Sequence, residues 1–167
     1  DRLYINPQNA QAFPPAVEAI EQSQLIVIGP GSLYTSLLTN LLVSDIAEAL
    51  KAATASTIYV CNVATQHGET DGYSVADHLE ELQRHTFPTI ASYVVANNNP
   101  RPLGDEFTGD PVVDDGRPLK HARLELGDLA DPEHLVRHDS TRLAETIIGV
   151  YHRNNKRKAP FRLALRA

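Results

Sequence analysis

The sequence predicts an α/β protein, built on a mostly parallel, doubly wound sheet with flanking helices on both faces. Three observations carry that expectation: short apolar runs rich in β-formers, helix-patterned segments between them, and polar, glycine-bearing loops directly after the runs. Alternation of strand and helix implies parallel neighbours joined by right-handed crossovers, because a twisted strand feeding a helix packs back onto the sheet only in that hand. Leu25 to Ile28, Thr57 to Cys61 and Ser92 to Val95 are short and continuously apolar, the pattern of strands covered on both sides.

The helices follow from their start signals. Pro14 and Pro15 suit a first turn, whose amides have no intrahelical partner, and Ala16, Ala19 and Ile20 share a face behind them. Ser44 is the expected cap of a helix carrying Ile46, Ala49, Leu50 and Ala53 on one side. Ser74 and Asp77 have the spacing of a capping box, followed at helical intervals by Val75, Ala76, Leu79 and Leu82. From Asn97 to Gly116 the chain is rich in proline and glycine and predicts irregular structure with a short strand near Val112; another strand is expected at Arg123 to Leu126. A last helix, opening near Asp139 or Ser140, places Leu143, Ala144, Ile147, Ile148 and Tyr151 on one stripe and is expected to end before a basic tail at 153–167.

Charge and composition narrow the function classes. A chain of 167 residues that is 42% hydrophobic buries one core. The net charge of −6 hides an asymmetry: residues 1–151 carry nine bases against 21 acids, a net of −12. That body argues against a broad DNA footprint, which needs clustered positive charge. The tail residues His152, Arg153, Lys156, Arg157, Lys158, Arg162 and Arg166 suit either contact with RNA or anionic lipid or plain solvation. The lone Cys61 forms no internal disulfide, and no run reaches the roughly 20 apolar residues of a membrane span, so a cytoplasmic location is expected. The absence of an initiating or any other methionine suggests a reading frame that began upstream.

In doubly wound sheets ligands sit beyond the carboxyl ends of the strands, which selects three junctions. The first is Gly29-Pro30-Gly31-Ser32-Leu33-Tyr34-Thr35-Ser36, where glycines admit a close ligand and hydroxyls supply donors: the chemistry of a phosphate cradle, or equally of a tight turn with a helix cap. It has neither the third glycine of a dinucleotide fingerprint nor a Walker lysine. The second runs from Asn62 through Thr65, Gln66, Glu69 and Thr70 to Tyr73, dense in amides, hydroxyls and carboxylates. Glu69 and Asp71 there suit a cation beside a phosphate, or Glu69 a general base; a solvated acidic loop is the plainer alternative. The third, Arg137-His138-Asp139, pairs an arginine fork for an anion with a helix cap, and a surface ion pair explains it as well.

Other chemistries fit less well. His78 and His85 stand about 10 Å apart along one helix, too far to share an ion, whereas Glu81 and His85 are close enough to meet. No metal-protease or paired-cysteine pattern occurs, and Gly31-Ser32-Leu33 lacks the hydrolase elbow.

Read together, the strings at 29–36, Asn40-Leu41-Leu42-Val43, Tyr59-Val60-Cys61-Asn62, Thr65-Gln66, Gly68-Glu69-Thr70-Asp71-Gly72-Tyr73, Asp77-His78 and Val136-Arg137-His138-Asp139 resemble the YvcK branch of the CofD-like family from about Ile5 to Leu143. The resemblance implies a Rossmann-like, CofD-like fold. It implies a gluconeogenesis factor that binds a nucleotide sugar of the UDP-N-acetylglucosamine kind and regulates carbon use and cell shape. The sister branch implies the alternative, a 2-phospho-L-lactate transferase of deazaflavin coenzyme biosynthesis, with Mg2+ accompanying the nucleotide. Glycine turn residues around phosphate, the second junction on sugar or cation, and Arg137 on anionic oxygens follow from the resemblance, with Tyr73, Asp77, Asn97, His138 and Asp139 as further contacts. A homo-oligomer belongs to the same expectations. The family's opening strand and Gly-Gly-Gly-Thr-Gly loop are not in this chain, so residues 1–152 correspond to the C-terminal part of such a domain. The segment Leu103 to Asp110 is shorter than the family's, and Phe107 is the nearest aromatic to its usual tyrosine.

Overall fold

Four strands, β1 (Leu25–Ile28), β2 (Ser56–Val60), β3 (Tyr93–Asn97) and β4 (Arg123–Gly127), form one parallel sheet in the order β1-β2-β3-β4 in the computed structural model, which describes residues 3–104 and 106–155. The register pairs Val27 with Ile58, Tyr59 with Val94, and Val95 with Glu125. Every strand therefore points its carboxyl end the same way, and the loops after β1 and β2 leave the sheet side by side.

Alternation along the strands supplies two cores, as a sheet covered on both faces requires. Tyr59 and Cys61, with Val94 and Ala96, face a cluster containing Leu33, Leu38, Leu50, Leu79 and Leu82. Ile58 and Val60, with Val95, face the other way against Leu129, Leu143 and Val150. The first face is covered by helices α3 (Ser44–Ala52) and α4 (Val75–His85); the second by α5 (Ser140–Asn154). Helix α1 (Pro14–Glu21), opened by its two prolines, packs on α3, and the short α2 (Thr39–Leu41) lies before α3.

Several elements differ from expectation for local reasons. β2 and β3 are displaced by a residue or two, and β4 ends one residue later. Ser44 is the first helical residue rather than the cap; Val43 takes the cap position, and Asp45 in the first turn accepts from the amide of Ala12 at 2.9 Å. The helix after the glycine turn is a π-helix, Leu33–Leu38, because the carbonyl of Ser32 accepts from both Ser36 (3.1 Å) and Leu37 (2.9 Å). The strand near Val112 is a short antiparallel contact: Ala64 bridges Pro111, and the amide of Val112 donates to Val63 at 3.0 Å. Ala144 lies on the exposed side of α5, and that helix continues through Arg153 and Asn154; the tail from Lys156 onward lies outside the described residues.

The capping box of α4 is complete, with Ser74 and Asp77 exchanging bonds of 2.9 and 3.3 Å. Arg117 closes over it, reaching Asp77 at 2.5 Å and Ser74 at 2.9 Å, and so pins the irregular segment to the helix start. Asp77→Ala is accordingly expected to destabilise the fold by about 1 kcal/mol in thermal or urea melts, the usual effect of losing a cap, without altering ligand affinity in the cavity described below.

His78 sits beneath, fully buried. Its Nδ1–H donates to the carbonyl of Ser74 at 2.9 Å, leaving Nε2 without a partner. Burial holds His78 below its usual 6.5, the bond to Ser74 opposing the shift; burial does the same to His138. An unfolded chain binds protons at both sites near pH 6.5 while the folded chain does not, so stability falls as pH drops from there through the folded values. The melting temperature is expected to decline between pH 7 and pH 5, and a flat profile over that range would contradict the assignment of both rings as neutral.

Candidate functional site

The loops after β1 and β2 and the entry to α5 enclose a cavity of about 880 Å3. The first junction contributes Pro30, Gly31 and Ser32; the second contributes Asn62 through His67; the third contributes Arg137 and His138, with Ser140 behind them. Residues from the three junctions thus share one crevice at the carboxyl ends of β1 and β2.

Each wall has a local cause. Gly29 turns at φ +94°, and a side chain there would press on the carbonyl of Val60, so the loop passes close to β2. Asn62 then holds Gly31 from both sides, its Oδ1 accepting from the Gly31 amide at 3.4 Å and its Nδ2 donating to the Gly31 carbonyl at 3.1 Å. The hydroxyl of Thr35 donates to Ser32 at 2.6 Å, and Ser32 donates to Glu69 at 2.6 Å. Two of the three hydroxyl protons expected to serve a phosphate, those of Thr35 and Ser32, are therefore used by Ser32 and Glu69.

The roof is the irregular segment. The amide of Thr65 donates to the carbonyl of Asp110, and the amide of Asp110 to Thr65 Oγ1, both at 2.8 Å. Gly109 lies flat on the Thr65 carbonyl, closer than any side chain at that position allows. This arrangement suspends Leu103, Phe107 and Thr108 over the opening. Leu103, Thr108 and Gly109 were not singled out in the sequence, since their place depends on pairing across more than forty positions.

The electrostatics of the cavity are one-sided. Arg137, His138 and His67 line it, and among the described residues no aspartate or glutamate does. Arg137 forms no ion pair among the described residues, although the chain as a whole is acidic. His138 donates Nε2–H to the carbonyl of Cys61 at 3.2 Å, which fixes its tautomer and turns the ring toward the end of β2. A guanidinium without a carboxylate partner among the described residues of a cleft favours an anion.

The remaining candidates lie elsewhere. Thr70 is buried and its hydroxyl accepts from the Gln66 amide at 2.9 Å, shaping the loop. Asn97, also buried, accepts from the amide of Leu129 at 2.9 Å. Asp139 caps α5 through two bonds of 3.0 Å. Asp77 is used by its capping box and Arg117. Ser36 is exposed, its carbonyl accepting from Thr39 and Asn40. Thr35, Glu69 and Tyr73 line a separate cavity.

The described residues form no ready cage for a protein-held Mg2+. Glu69 accepts from Ser32, Asp71 from His67 and the Gly68 amide, and Asp77 from Ser74 and Arg117. Among the described residues no three acidic, histidine or cysteine side chains come together as a metal site. No described helix is long and apolar enough to cross a membrane.

Fold and cavity together define a Rossmann-like α/β protein with a polar, arginine-bearing cleft at the strand ends. The chain belongs to the CofD family, whose sequence profile, described as 2-phospho-L-lactate transferase CofD, matches residues 1–154. It is 36% identical over 159 residues to the gluconeogenesis factor of Halalkalibacterium halodurans, covering 88% of this chain and 48% of the relative. It is 34% identical over 163 residues to that of Listeria innocua, covering 95% and 51%. A crystal structure of a UPF0052-family protein from Bacillus halodurans superposes with a TM-score of 0.78 at 34% identity, over 89% of this chain and 50% of that one. The chain spans about half the length of these relatives.

Proposed function

We propose that the chain binds a nucleotide sugar, of which UDP-N-acetylglucosamine is the type, and acts as a gluconeogenesis-factor-like regulator of carbon metabolism and cell shape. The observation that carries this reading is the cavity that Arg137 lines, in which, among the described residues, no carboxylate lines the wall and none lies within ion-pair distance of that guanidinium. Arg137 receives the diphosphate, where a planar fork matches two oxygens at once. Asn62, Thr65 and Gln66 offer amides and hydroxyls of the kind that read sugar hydroxyls, and the Phe107 ring offers a face for a base. Where Mg2+ accompanies the nucleotide, the phosphates themselves are its anchor.

Calorimetric titration with UDP-N-acetylglucosamine and, separately, N-acetylglucosamine tests the reading. Heat with the nucleotide sugar and none with the free sugar is expected; equal behaviour of the two overturns an anion-directed site. The transferase reading is favoured by the description of the matched family. It predicts a phosphorylated product from a deazaflavin acceptor, and a binding regulator gives none.

A further inference from the structure

A second cavity, of about 520 Å3, shares no lining residue with the first among the described residues. The two are separated by one hydrogen-bonded group: Ser32 lines the first, and its partners Thr35 and Glu69 line the second. Leu3, Tyr34, Tyr73 and the α4 residues Glu81, Arg84 and His85 complete it.

The charged groups that α4 brings to this cavity pair with one another. Glu81 takes Arg84 through Nε at 2.9 Å and Nη2 at 2.5 Å, and His85 Nε2 at 2.9 Å. The Tyr34 and Tyr73 hydroxyls stand 2.8 Å apart and share one hydrogen bond, in which either is able to donate. Glu81 and Arg84 match in charge.

Glu69 is different. It accepts from the hydroxyl of Ser32 at 2.6 Å, the Thr35 hydroxyl that donates to Ser32 lies 3.4 Å from it, and no basic side chain lies within ion-pair distance among the described residues. An ionised carboxylate has about four acceptor positions, so roughly two or more remain. The unfilled valences on Glu69 are thus lone pairs on oxygen, next to two phenol rings with electron-rich faces. A ligand that completes them brings hydrogen-bond donors and positive charge together.

We propose that this cavity is a binding site for a small organic cation bearing a primary ammonium group, with Glu69 as its counter-ion and Tyr34 and Tyr73 as its aromatic wall. The site is independent of the nucleotide-sugar reading. Titration of the chain with 1,4-diaminobutane, set against 1,4-butanediol of the same length, tests it. The diamine is expected to bind and the diol not to. Glu69→Gln is expected to weaken the diamine by at least about tenfold and Tyr73→Phe by a few-fold, while Arg137→Ala leaves it unchanged. Absence of diamine binding, equal binding of the diol, or full affinity in a folded Glu69→Gln chain overturns the proposal. If Glu69→Gln does not fold, the comparison of diamine with diol on the unaltered chain decides.

Discussion

Arg137→Ala is expected to weaken the phosphorylated ligand by roughly ten- to a hundredfold, the range for losing charge-assisted hydrogen bonds. The reason is that no carboxylate among the described residues lies within ion-pair distance of the side chain. Nearby Arg142 already answers Asp128 at 2.8 Å and Asp139 at 3.5 Å, whereas Arg137 has no carboxylate partner among the described residues. Arg142→Ala is therefore the matched control, with little effect on affinity. The fold should tolerate Arg137→Ala, because the residue holds the loop by backbone alone: its amide donates to His134 at 2.8 Å and its carbonyl accepts from Asp131 at 2.9 Å. Calorimetry on the two variants checks this, and equal losses would mean that general positive charge, rather than this arginine, attracts the ligand.

Gly109→Ala is expected to damage both stability and binding. A methyl group there meets the backbone of Thr65, which has no flexible end to move aside, so the roof must separate from the 63–65 loop. Overpacking of this kind costs about 1–3 kcal/mol. The bonds that separate are the same ones that suspend Leu103 and Phe107 over the cavity, so affinity falls with stability. Thr65→Val, which loses only the Oγ1 acceptor for the Asp110 amide, should show a smaller version of both effects. Melting curves and titrations on the same samples check it; a Gly109→Ala chain with unaltered melting and affinity contradicts the roof.

Much of the scaffold was legible in the residues because its causes are local. The apolar runs of β1 to β3, the prolines of α1, the Ser74 and Asp77 exchange and the Asp139 cap each depend on neighbours within a few positions. The meeting of the glycine turn, Asn62 and Arg137 was legible too, as a consequence of parallel strands ending on one side. What resisted reading depends on distant partners. The π-helix arises from one carbonyl accepting twice, and Gly109 matters only because Thr65 lies beneath it. Thr70 enters as a polar residue of the loop after β2, and Asp77 and Asn97 enter through the family resemblance, yet each is used by a partner within the chain: the Gln66 amide, Arg117 with Ser74, and the Leu129 amide. Type and spacing do not reveal which polar groups the fold has already consumed.

A crystal structure of the chain with UDP-N-acetylglucosamine tests the central claim most directly. Diphosphate oxygens at about 2.7–2.9 Å from the Arg137 guanidinium, beneath Phe107, are the predicted result. A diphosphate bound away from Arg137, or a ligand seated outside the cleft between the glycine turn and α5, would contradict it.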